Sequence, residues 1–250
     1  MAVAVPSTRA GIDTVAISRV AKRFGSERAL AGVSLELRAS SPGAGTMCAL
    51  LGHNGAGKTT LLGVLSTLVR PSSGAVAYRR GETELAGEDV RREIGLLAHA
   101  ALTYGELTAY ENLELTAGLY DVAGDRATLD ALLDRVGLES RARTRAARTY
   151  SRGMQQRLAL ARALLTSPSL VLLDEPFTGL DRDGALALGE QLAQLKAGGA
   201  IVVVVTHDLE AIADKADHVV VLRRGALVFE ERGAGYDYAR LKEIYHQHAA

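Results

Sequence analysis

Nine residues near the start of the chain have the composition and spacing of a phosphate-binding loop. Residues 52–60 read GHNGAGKTT and fit the pattern G-x-x-x-x-G-K-[ST]. Gly55 and Gly57 allow backbone N–H groups to converge on a polyanion, and the helix expected next adds the positive end of its dipole. Lys58 offers a cation for the β- and γ-phosphates, and the Thr59 hydroxyl is a hard oxygen ligand for Mg²⁺. The loop predicts a nucleoside triphosphate site; the alternative is a structural glycine-rich turn.

Two adjacent carboxylates follow an apolar run in the second half of the chain. Residues 170–175 read LVLLDE, so Asp174 and Glu175 come at the end of a predicted strand. A Mg²⁺–triphosphate complex needs an acid at the end of a neighbouring strand, which makes Asp174 a candidate metal ligand. Glu175 is a candidate general base, because a carboxylate within hydrogen-bond reach of a water can orient and deprotonate it. The alternative is an exposed acidic pair, and the glycine loop argues against it.

A histidine follows another predicted strand. His207 comes directly after the apolar run IVVVVT at residues 201–206. Open parallel sheets bind their ligands beyond the carboxyl ends of the strands, which is where His207 would stand. A neutral imidazole there can hydrogen-bond a γ-phosphate and fix the line of attack of a water. The alternative is an incidental histidine after a strand.

Short β-branched runs that alternate with helical segments must position these groups. Strand patterns occur at residues 16–20, 33–37, 47–51, 75–78, 170–174, 201–206 and 218–223, and helical patterns follow at residues 58–69 and 183–198. A strand that is followed directly by a helix is typical of a mostly parallel α/β sheet. The run at 201–206 is apolar throughout, as a central strand covered on both faces would be.

The middle of the chain has a different pattern. Residues 107–165 contain no convincing strand, but residues 108–120 and 128–138 have helical periodicity, and Thr108 with Glu111 has capping-box spacing. An all-helical insertion within an α/β core is the simplest account. Residues 141–150, RARTRAARTY, carry four arginines. A solvated connector is expected there, and the alternative is a phosphate or lipid patch.

Bulk composition limits the classes of function. A chain of 250 residues is long enough for one domain with a sizeable core, and its formal net charge of +0 gives no overall attraction to nucleic acid or anionic lipid. No nucleic-acid partner is therefore expected. The single cysteine, Cys48, is expected to be a buried strand residue rather than a nucleophile. The first residues lack the pattern of a signal peptide, and no run approaches the ~18 apolar residues of a membrane span.

Several of these motifs together resemble the ATP-binding subunit of an ABC transporter, over about residues 15–228. The resemblance is carried by GHNGAGKTT, YSRGMQQ, LVLLDEP, TGLD and the pair Thr206–His207. It implies an α/β P-loop NTPase core with a mostly parallel sheet, an N-terminal antiparallel β part and an inserted all-helical subdomain. The implied organisation is a single ABC ATPase domain over residues 1–250, with its core at 12–98 and 166–232, the helical subdomain at 99–165 and a tail at 233–250.

The resemblance also implies partners and residue roles. Ser151 and Gly153 open a helix whose N-terminus would bind the γ-phosphate of an ATP held by a second copy, so a head-to-tail homodimer with two ATP molecules at its interface is implied. Residues 107–113 resemble the stretch that contacts the integral membrane subunits, which implies a peripheral location at the cytoplasmic face of the bacterial inner membrane. The implied catalytic residues are Glu175, His207 and Lys58; the implied Mg²⁺ ligands are Thr59 and Asp174; the implied ATP contacts are Phe24 (on adenine), Gly52, His53, Asn54, Gly55, Ala56, Gly57, Lys58, Thr59, Thr60, His99, Ser151, Arg152, Gly153, Met154, Gln155 and Asp181.

Departures from the family pattern indicate a subfamily. His99, in IGLLAH, stands where the family usually has glutamine, and YSRGM, with Arg152, replaces the commoner Leu-Ser-Gly-Gly-Gln. Imidazole is a less natural Mg²⁺ ligand than an amide oxygen. With DEPFTGLD, these features resemble the haem exporter ATPase of bacterial cytochrome c maturation, and they imply ATP hydrolysis that drives haem export. The alternatives are the ATPase of another exporter, for a lipid, a drug or another small molecule, and a soluble ABC ATPase without a transport role.

The last residues, GYDYARLKEIYHQHAA at 235–250, have the pattern of a short helix. His246 and His248 suggest a metal site, but a solvated terminus is the expected state of such a tail.

Overall fold

The computed structural model describes residues 11–41, 43–98, 102–233 and 235–249. The strands in these residues are β1 (Thr14–Phe24), β2 (Glu27–Arg38), β3 (Thr46–Leu51), β4 (Ser73–Arg80), β5 (Thr83–Leu85), β6 (Ile94–Leu97), β7 (Leu170–Asp174), β8 (Ile201–Val205), β9 (His218–Arg223) and β10 (Ala226–Arg232). The helices are α1 (Lys58–Leu65), α2 (Glu88–Arg92), α3 (Ala109–Tyr120), α4 (Arg126–Arg135), α5 (Arg152–Leu164), α6 (Arg182–Ala197), α7 (Leu209–Ile212) and α8 (Tyr238–His248), with 3₁₀ turns at Ser140–Ala142 and Ala147–Thr149. Over the described ranges, no helix combines the length and the apolar character that a membrane crossing requires.

A six-stranded sheet with the order β10-β9-β3-β8-β7-β6 lies at the centre of the fold. The strands from β9 to β6 are parallel, whereas the edge strand β10 pairs antiparallel with β9. Alternate residues of β3 enter different hydrophobic clusters, with Met47 and Ala49 in one and Cys48 and Leu50 in the other. Both faces of β3 are therefore covered, which explains its continuous apolar run. The predicted mostly parallel α/β core is confirmed, and Cys48 is a buried strand residue whose burial raises the pKa of its thiol.

A second sheet is antiparallel and contains the strands of the first third of the chain other than β3, in the order β2-β1-β4-β5. Val15 of β1 and Leu35 of β2 belong to the same buried cluster as Leu50 of β3 and Leu62 of α1. This sheet therefore packs toward the face of the central sheet that carries α1. The N-terminal antiparallel part implied by the family resemblance is confirmed.

The stretch between the two groups of parallel strands is helical. All residues from Leu102 to Leu165 are described, and none of them lies in a strand. Helix α3 begins with the predicted capping box, in which the Thr108 hydroxyl accepts from the Glu111 N–H and the Glu111 carboxylate accepts from the Thr108 N–H. The helical content agrees with the predicted insertion; its boundaries at residues 99 and 165 stay a prediction.

The arginine-rich segment is not wholly solvated, and the expectation is wrong for Arg143. Its side chain is 4% exposed. It donates to Asp130 Oδ1 at 2.8 Å, to the carboxylate of Asp134, and to the Leu138 carbonyl at 2.9 Å. A guanidinium can be buried when carboxylates and carbonyls satisfy its charge and its N–H groups. The three other arginines of the segment, Arg141, Arg145 and Arg148, are exposed as expected.

Some elements differ from the sequence patterns. Helix α1 ends at Leu65 rather than continuing to residue 69, because Thr67 adopts a left-handed backbone conformation with φ of 64°. Strands β5 and β10 and the short helices α2 and α7 were not predicted from the sequence. The predicted C-terminal helix is present as α8, but His248 stacks on Phe229 with ring centroids 4.3 Å apart. A solvated tail is therefore wrong for His248, whereas His246 is exposed.

Candidate active site

The loop between β3 and α1 has a backbone that glycine alone can follow at two points. Gly52 has φ of 144°, and a Cβ there would lie 2.3 Å from the Leu222 carbonyl oxygen. Gly57 has φ of 101°, and its Cβ would lie 2.5 Å from the Ala29 carbonyl oxygen. Gly55, with φ of 79°, has open space on that side. The loop therefore packs tightly against β9 and β2 at its two ends, while its middle leaves room for a ligand to approach the backbone.

Lys58, the first residue of α1, directs its ammonium group back along this loop. Its Nζ donates to the Gly52 carbonyl at 2.5 Å and to the His53 carbonyl at 3.0 Å. Burial lowers the pKa of Lys58, while the charges of Glu175 and Asp174 oppose that shift. The cation thus lies inside the curve of the loop, where a phosphate bound to the backbone N–H groups would meet it.

Thr59 and Asp174 are brought together from two elements that are far apart in sequence. The Thr59 hydroxyl, on α1, donates to Asp174 Oδ2, at the end of β7, at 2.7 Å. Asp174 is 5% exposed. Across the described residues, no group of three or more His, Cys, Asp or Glu side chains could hold a metal ion. Mg²⁺ in nucleotide sites is usually bound through one or two protein oxygens together with phosphates and waters, and this pair of hard oxygens fits that requirement.

Glu175 and His207 face each other at the carboxyl edge of the sheet. His207 Nε2 lies 3.3 Å from Glu175 Oε1, and the His207 backbone N–H donates to Oε2 at 3.4 Å. Glu175 has φ of 52°, a left-handed conformation that costs a non-glycine residue on the order of 1–2 kcal/mol. Its own N–H donates to the Val205 carbonyl at 2.8 Å, and the Gln156 amide donates to its carbonyl at 3.2 Å. Neighbouring elements therefore maintain this conformation, which is common at functional sites.

Burial dominates the electrostatics of Glu175. It raises the pKa of the carboxyl group, as does the charge of Asp174, while His207 and Lys58 act in the opposite direction. A carboxylate with a raised pKa is a stronger base than an ordinary glutamate, and such groups cluster at catalytic sites.

The Ser-Arg-Gly motif and the TGLD loop lie side by side. The Ser151 hydroxyl caps α5 by accepting from the Met154 N–H at 3.3 Å. A Cβ on Gly153 would lie 2.9 Å from the Gly179 carbonyl oxygen, so the two segments are in close contact. Asp181 caps α6 by accepting from the Gly184 N–H at 2.9 Å. Two helix N-termini, each with unpaired N–H groups, therefore meet at one surface.

The remaining candidate residues occupy varied positions. Phe24, at the end of β1, is 52% exposed, and Lys22 Nζ lies 4.9 Å from its ring centroid. His99 lies outside the described residues. Among the candidates of the phosphate loop and the Ser-Arg-Gly helix that are not discussed above, His53, Asn54 and Arg152 are exposed, Thr60, Met154 and Gln155 are half-buried, and Ala56 is buried.

Sequence reasoning missed two residues of the site. Gln156 supports the backbone around Glu175, as described above, and also donates to the Pro176 carbonyl at 3.1 Å. Tyr245, on α8, brings its hydroxyl within 3.3 Å of His53 Nδ1. The only sequence signal for Tyr245 is the helical spacing that it shares with Leu241 and His248, and that spacing does not show what the helix packs against.

A parallel α/β sheet with a phosphate loop after one strand and carboxylates after another is the arrangement of a P-loop nucleoside triphosphatase. Residues 32–178 match the protein family described as ABC transporter. The chain belongs to this family, as an ATP-binding subunit with an ABC ATPase fold.

Individual relatives agree with this assignment. The chain is 39% identical over 225 residues to the daunorubicin resistance ATP-binding protein DrrA3 of Streptomyces coeruleorubidus, covering 86% of this chain and 67% of the relative. It is 31% identical over 229 residues to the lantibiotic transport ATP-binding protein SrtF of Streptococcus pyogenes, covering 92% and 94%. The chain thus spans about two thirds of the length of the daunorubicin relative.

A solved structure shows the same fold. The ATP-binding cassette MJ0796, described as a dimer in a post-hydrolysis state bound to ADP and Pi, superposes with a TM-score of 0.77 at 29% sequence identity. The match covers 89% of this chain and 100% of that chain.

Proposed function

We propose that this chain hydrolyses ATP to drive a membrane exporter of drug-like or antibiotic molecules. The observation that carries the ATPase part is the arrangement of Lys58, Thr59–Asp174 and Glu175–His207 at one edge of the central sheet. The export cargo is supported by the relatives named for daunorubicin resistance and lantibiotic transport. The haem-export hypothesis rests on His99, the YSRGM motif and the DEPFTGLD segment, and these relatives support the drug-exporter alternative instead.

The chemistry assigned to each group follows from its position. Backbone N–H groups of the phosphate loop and the ammonium of Lys58 bind the β- and γ-phosphates. Thr59 and Asp174 would hold Mg²⁺, which neutralises phosphate charge when bound. Glu175 accepts a proton from the attacking water, and His207 orients the γ-phosphate against that water. These roles use positioning and charge stabilisation, the main contributions in phosphoryl transfer.

Two copies of the chain complete each site in this proposal. The N-terminus of α5, with Ser151 and Gly153, would bind the γ-phosphate held by the other copy, and the TGLD loop ending at Asp181 would cross the interface between them. Support comes from the exposed Ser151 at a helix N-terminus and from the dimeric state described for MJ0796.

We further propose that integral membrane subunits dock on the helical insertion, so that the chain sits peripherally at the cytoplasmic face of the bacterial inner membrane. Large apolar side chains stand in solvent in and near α3: Tyr104 is 62% exposed, Leu115 42% and Leu119 76%. They lie next to the predicted contact stretch at residues 107–113. A group of exposed apolar side chains is typical of a protein interface.

A gene deletion distinguishes the two cargo classes. Loss of the gene is expected to increase both sensitivity to antibiotics and cellular retention of the fluorescent drug daunorubicin, because drug efflux stops. Wild-type protein should restore efflux, and the Glu175→Gln variant, expressed at the same level, should not. The c-type cytochrome content of the same strains is the second measurement. Lost cytochromes with unchanged drug retention would favour haem export and contradict the drug-export proposal.

The pH dependence of hydrolysis tests the role of Glu175. Burial raises the pKa of this carboxyl group, so it becomes protonated at a higher pH than an ordinary glutamate. A protonated carboxyl cannot take a proton from water, and kcat/KM for ATP should therefore fall on the acidic side at a pH above about 4.3, the usual glutamate pKa. Steady-state rates between pH 4 and 9 give the profile, and circular dichroism over the same range controls for unfolding. An acidic limb at the ordinary glutamate pKa would contradict the assignment.

A further inference from the structure

Tyr245, on α8, lies between two histidines of the candidate site. Its ring centroid is 5.5 Å from that of His53, at an interplanar angle of 67°, and 6.4 Å from that of His207, at 86°. Its hydroxyl lies 3.3 Å from His53 Nδ1. Both ring pairs have the edge-to-face arrangement that aromatic rings favour. One side chain of the tail therefore contacts both the phosphate loop and the loop that follows β8.

The packing of helix α8 against the core fixes the position of Tyr245. Leu241 and Ile244 are fully buried, and Tyr245, which lies one helical turn after Leu241, packs against the same hydrophobic cluster. Both aliphatic side chains belong to the large cluster that includes β9 and α7. Three residues beyond Tyr245, His248 stacks on Phe229 of β10. The helix is thus packed at both ends of the segment that carries Tyr245.

The side chain of His207 is held less firmly than that of Tyr245, because His207 lies in the loop after β8 whereas Tyr245 lies on a packed helix. The His207 side chain is 45% exposed and lies between Glu175 and Tyr245. A half-exposed side chain has several staggered rotamers available, so a neighbouring ring that blocks some of them decides its orientation. His53, Tyr245, His207 and Glu175 form a continuous line of side chains from the phosphate loop to the carboxylate.

We propose that Tyr245 is a positioning residue for ATP hydrolysis: its ring holds the imidazole of His207 against Glu175, and its hydroxyl ties the same arrangement to His53. The inference rests on the proposed function, which gives His207 and Glu175 their roles. Tyr245 acts through His207 and leaves Lys58 and the loop N–H groups unchanged. Loss of Tyr245 therefore affects the chemical step more than ATP binding, because misplacement of a reacting group by about 1 Å can cost up to 10²-fold in rate.

Steady-state ATP hydrolysis by the 250-residue chain tests this proposal. Tyr245→Ala should lower kcat about tenfold and leave KM for ATP within about twofold of wild type. Tyr245→Leu keeps an apolar side chain on the helix but has no ring, so its kcat should be as low as that of Tyr245→Ala. Tyr245→Phe keeps both ring contacts and should retain most of the activity. The matched control is Tyr238→Ala, which removes an exposed tyrosine at the first position of the same helix and should behave as wild type.

A double-mutant cycle separates positioning from a general structural effect. In a His207→Ala background, Tyr245→Leu should change kcat no further, because its effect passes through His207. The inference would be overturned if the effects of the two substitutions on kcat multiplied in the double variant. It would also be overturned if Tyr245→Leu raised KM for ATP with kcat unchanged, or if Tyr245→Leu were fully active while His207→Ala was defective. Full activity of His207→Ala would instead contradict the proposed function itself. Thermal melts of every variant establish that they are folded at the assay temperature.

Discussion

Replacing Glu175 with glutamine is expected to lower kcat for ATP hydrolysis by about 10²–10⁴-fold while ATP binding is kept. The amide cannot accept a proton from water. Its oxygen can still accept the His207 backbone N–H that contacts the carboxylate at 3.4 Å. Lys58 and the phosphate loop are unchanged, so ATP should remain bound between two copies, and the dimer should persist because the bridging γ-phosphate is not removed. Initial rates, equilibrium titration with ATP and light scattering in the presence of ATP measure the three effects.

A matched control for this variant is Glu190→Gln on α6, which makes the same chemical change at an exposed glutamate. Stability provides a second control. Because burial raises the pKa of Glu175 in the folded chain, stability is lost as the pH rises from the ordinary glutamate pKa through the raised pKa of the folded chain. Glutamine resembles the protonated form, so the Tm of the variant at neutral pH should be no lower than that of the wild type. Normal turnover by folded Glu175→Gln would exclude Glu175 as the base.

The parts of the site that depend on local backbone and on strand ends could be predicted from the sequence. Gly52 and Gly57 have positive φ values and carbonyl oxygens beside them, so the glycine pattern reflects a physical requirement of the loop. Asp174 could be placed near Thr59 because carboxyl ends of parallel strands share one edge of a sheet. The two side chains are 115 residues apart in sequence, yet they form a hydrogen bond.

Contacts that depend on how distant elements pack could not be predicted in this way. Tyr245 and His53 are 192 residues apart, and no pattern in a short amphipathic tail indicates which loop it approaches. In the sequence, nothing distinguishes Arg143 from the three other arginines of its segment. Its burial depends on two carboxylates of α4, which lie next to it only in the folded chain. The sequence motifs also could not predict the transported molecule, because His99 and YSRGM belong to the nucleotide site and make no contact with that molecule.

Lys58→Ala is expected to raise the Kd for ATP by about 10²-fold, since a charged hydrogen bond contributes up to about 3 kcal/mol. The change removes the buried cation that the phosphates would meet. The carbonyl groups of Gly52 and His53 would then face the phosphates without a positive charge between them. Isothermal titration with ATP measures the loss. Lys242→Ala, on α8, removes one positive charge outside the phosphate loop and should keep the wild-type affinity. Unchanged ATP affinity of folded Lys58→Ala would contradict the assignment of the phosphate loop.

The same variant tests whether each site is shared between two chains. A Ser151→Ala chain keeps Lys58 but loses the hydroxyl that caps α5, at a cost of about 1 kcal/mol in stability. Homodimers of either variant have two defective sites, whereas a mixed dimer has one intact site, with Lys58 from one chain and Ser151 from its partner. An equal mixture of the two defective variants should therefore recover up to about a quarter of the wild-type rate, because half of the dimers are mixed and each has one working site. If each chain contained a complete site, mixing would restore nothing.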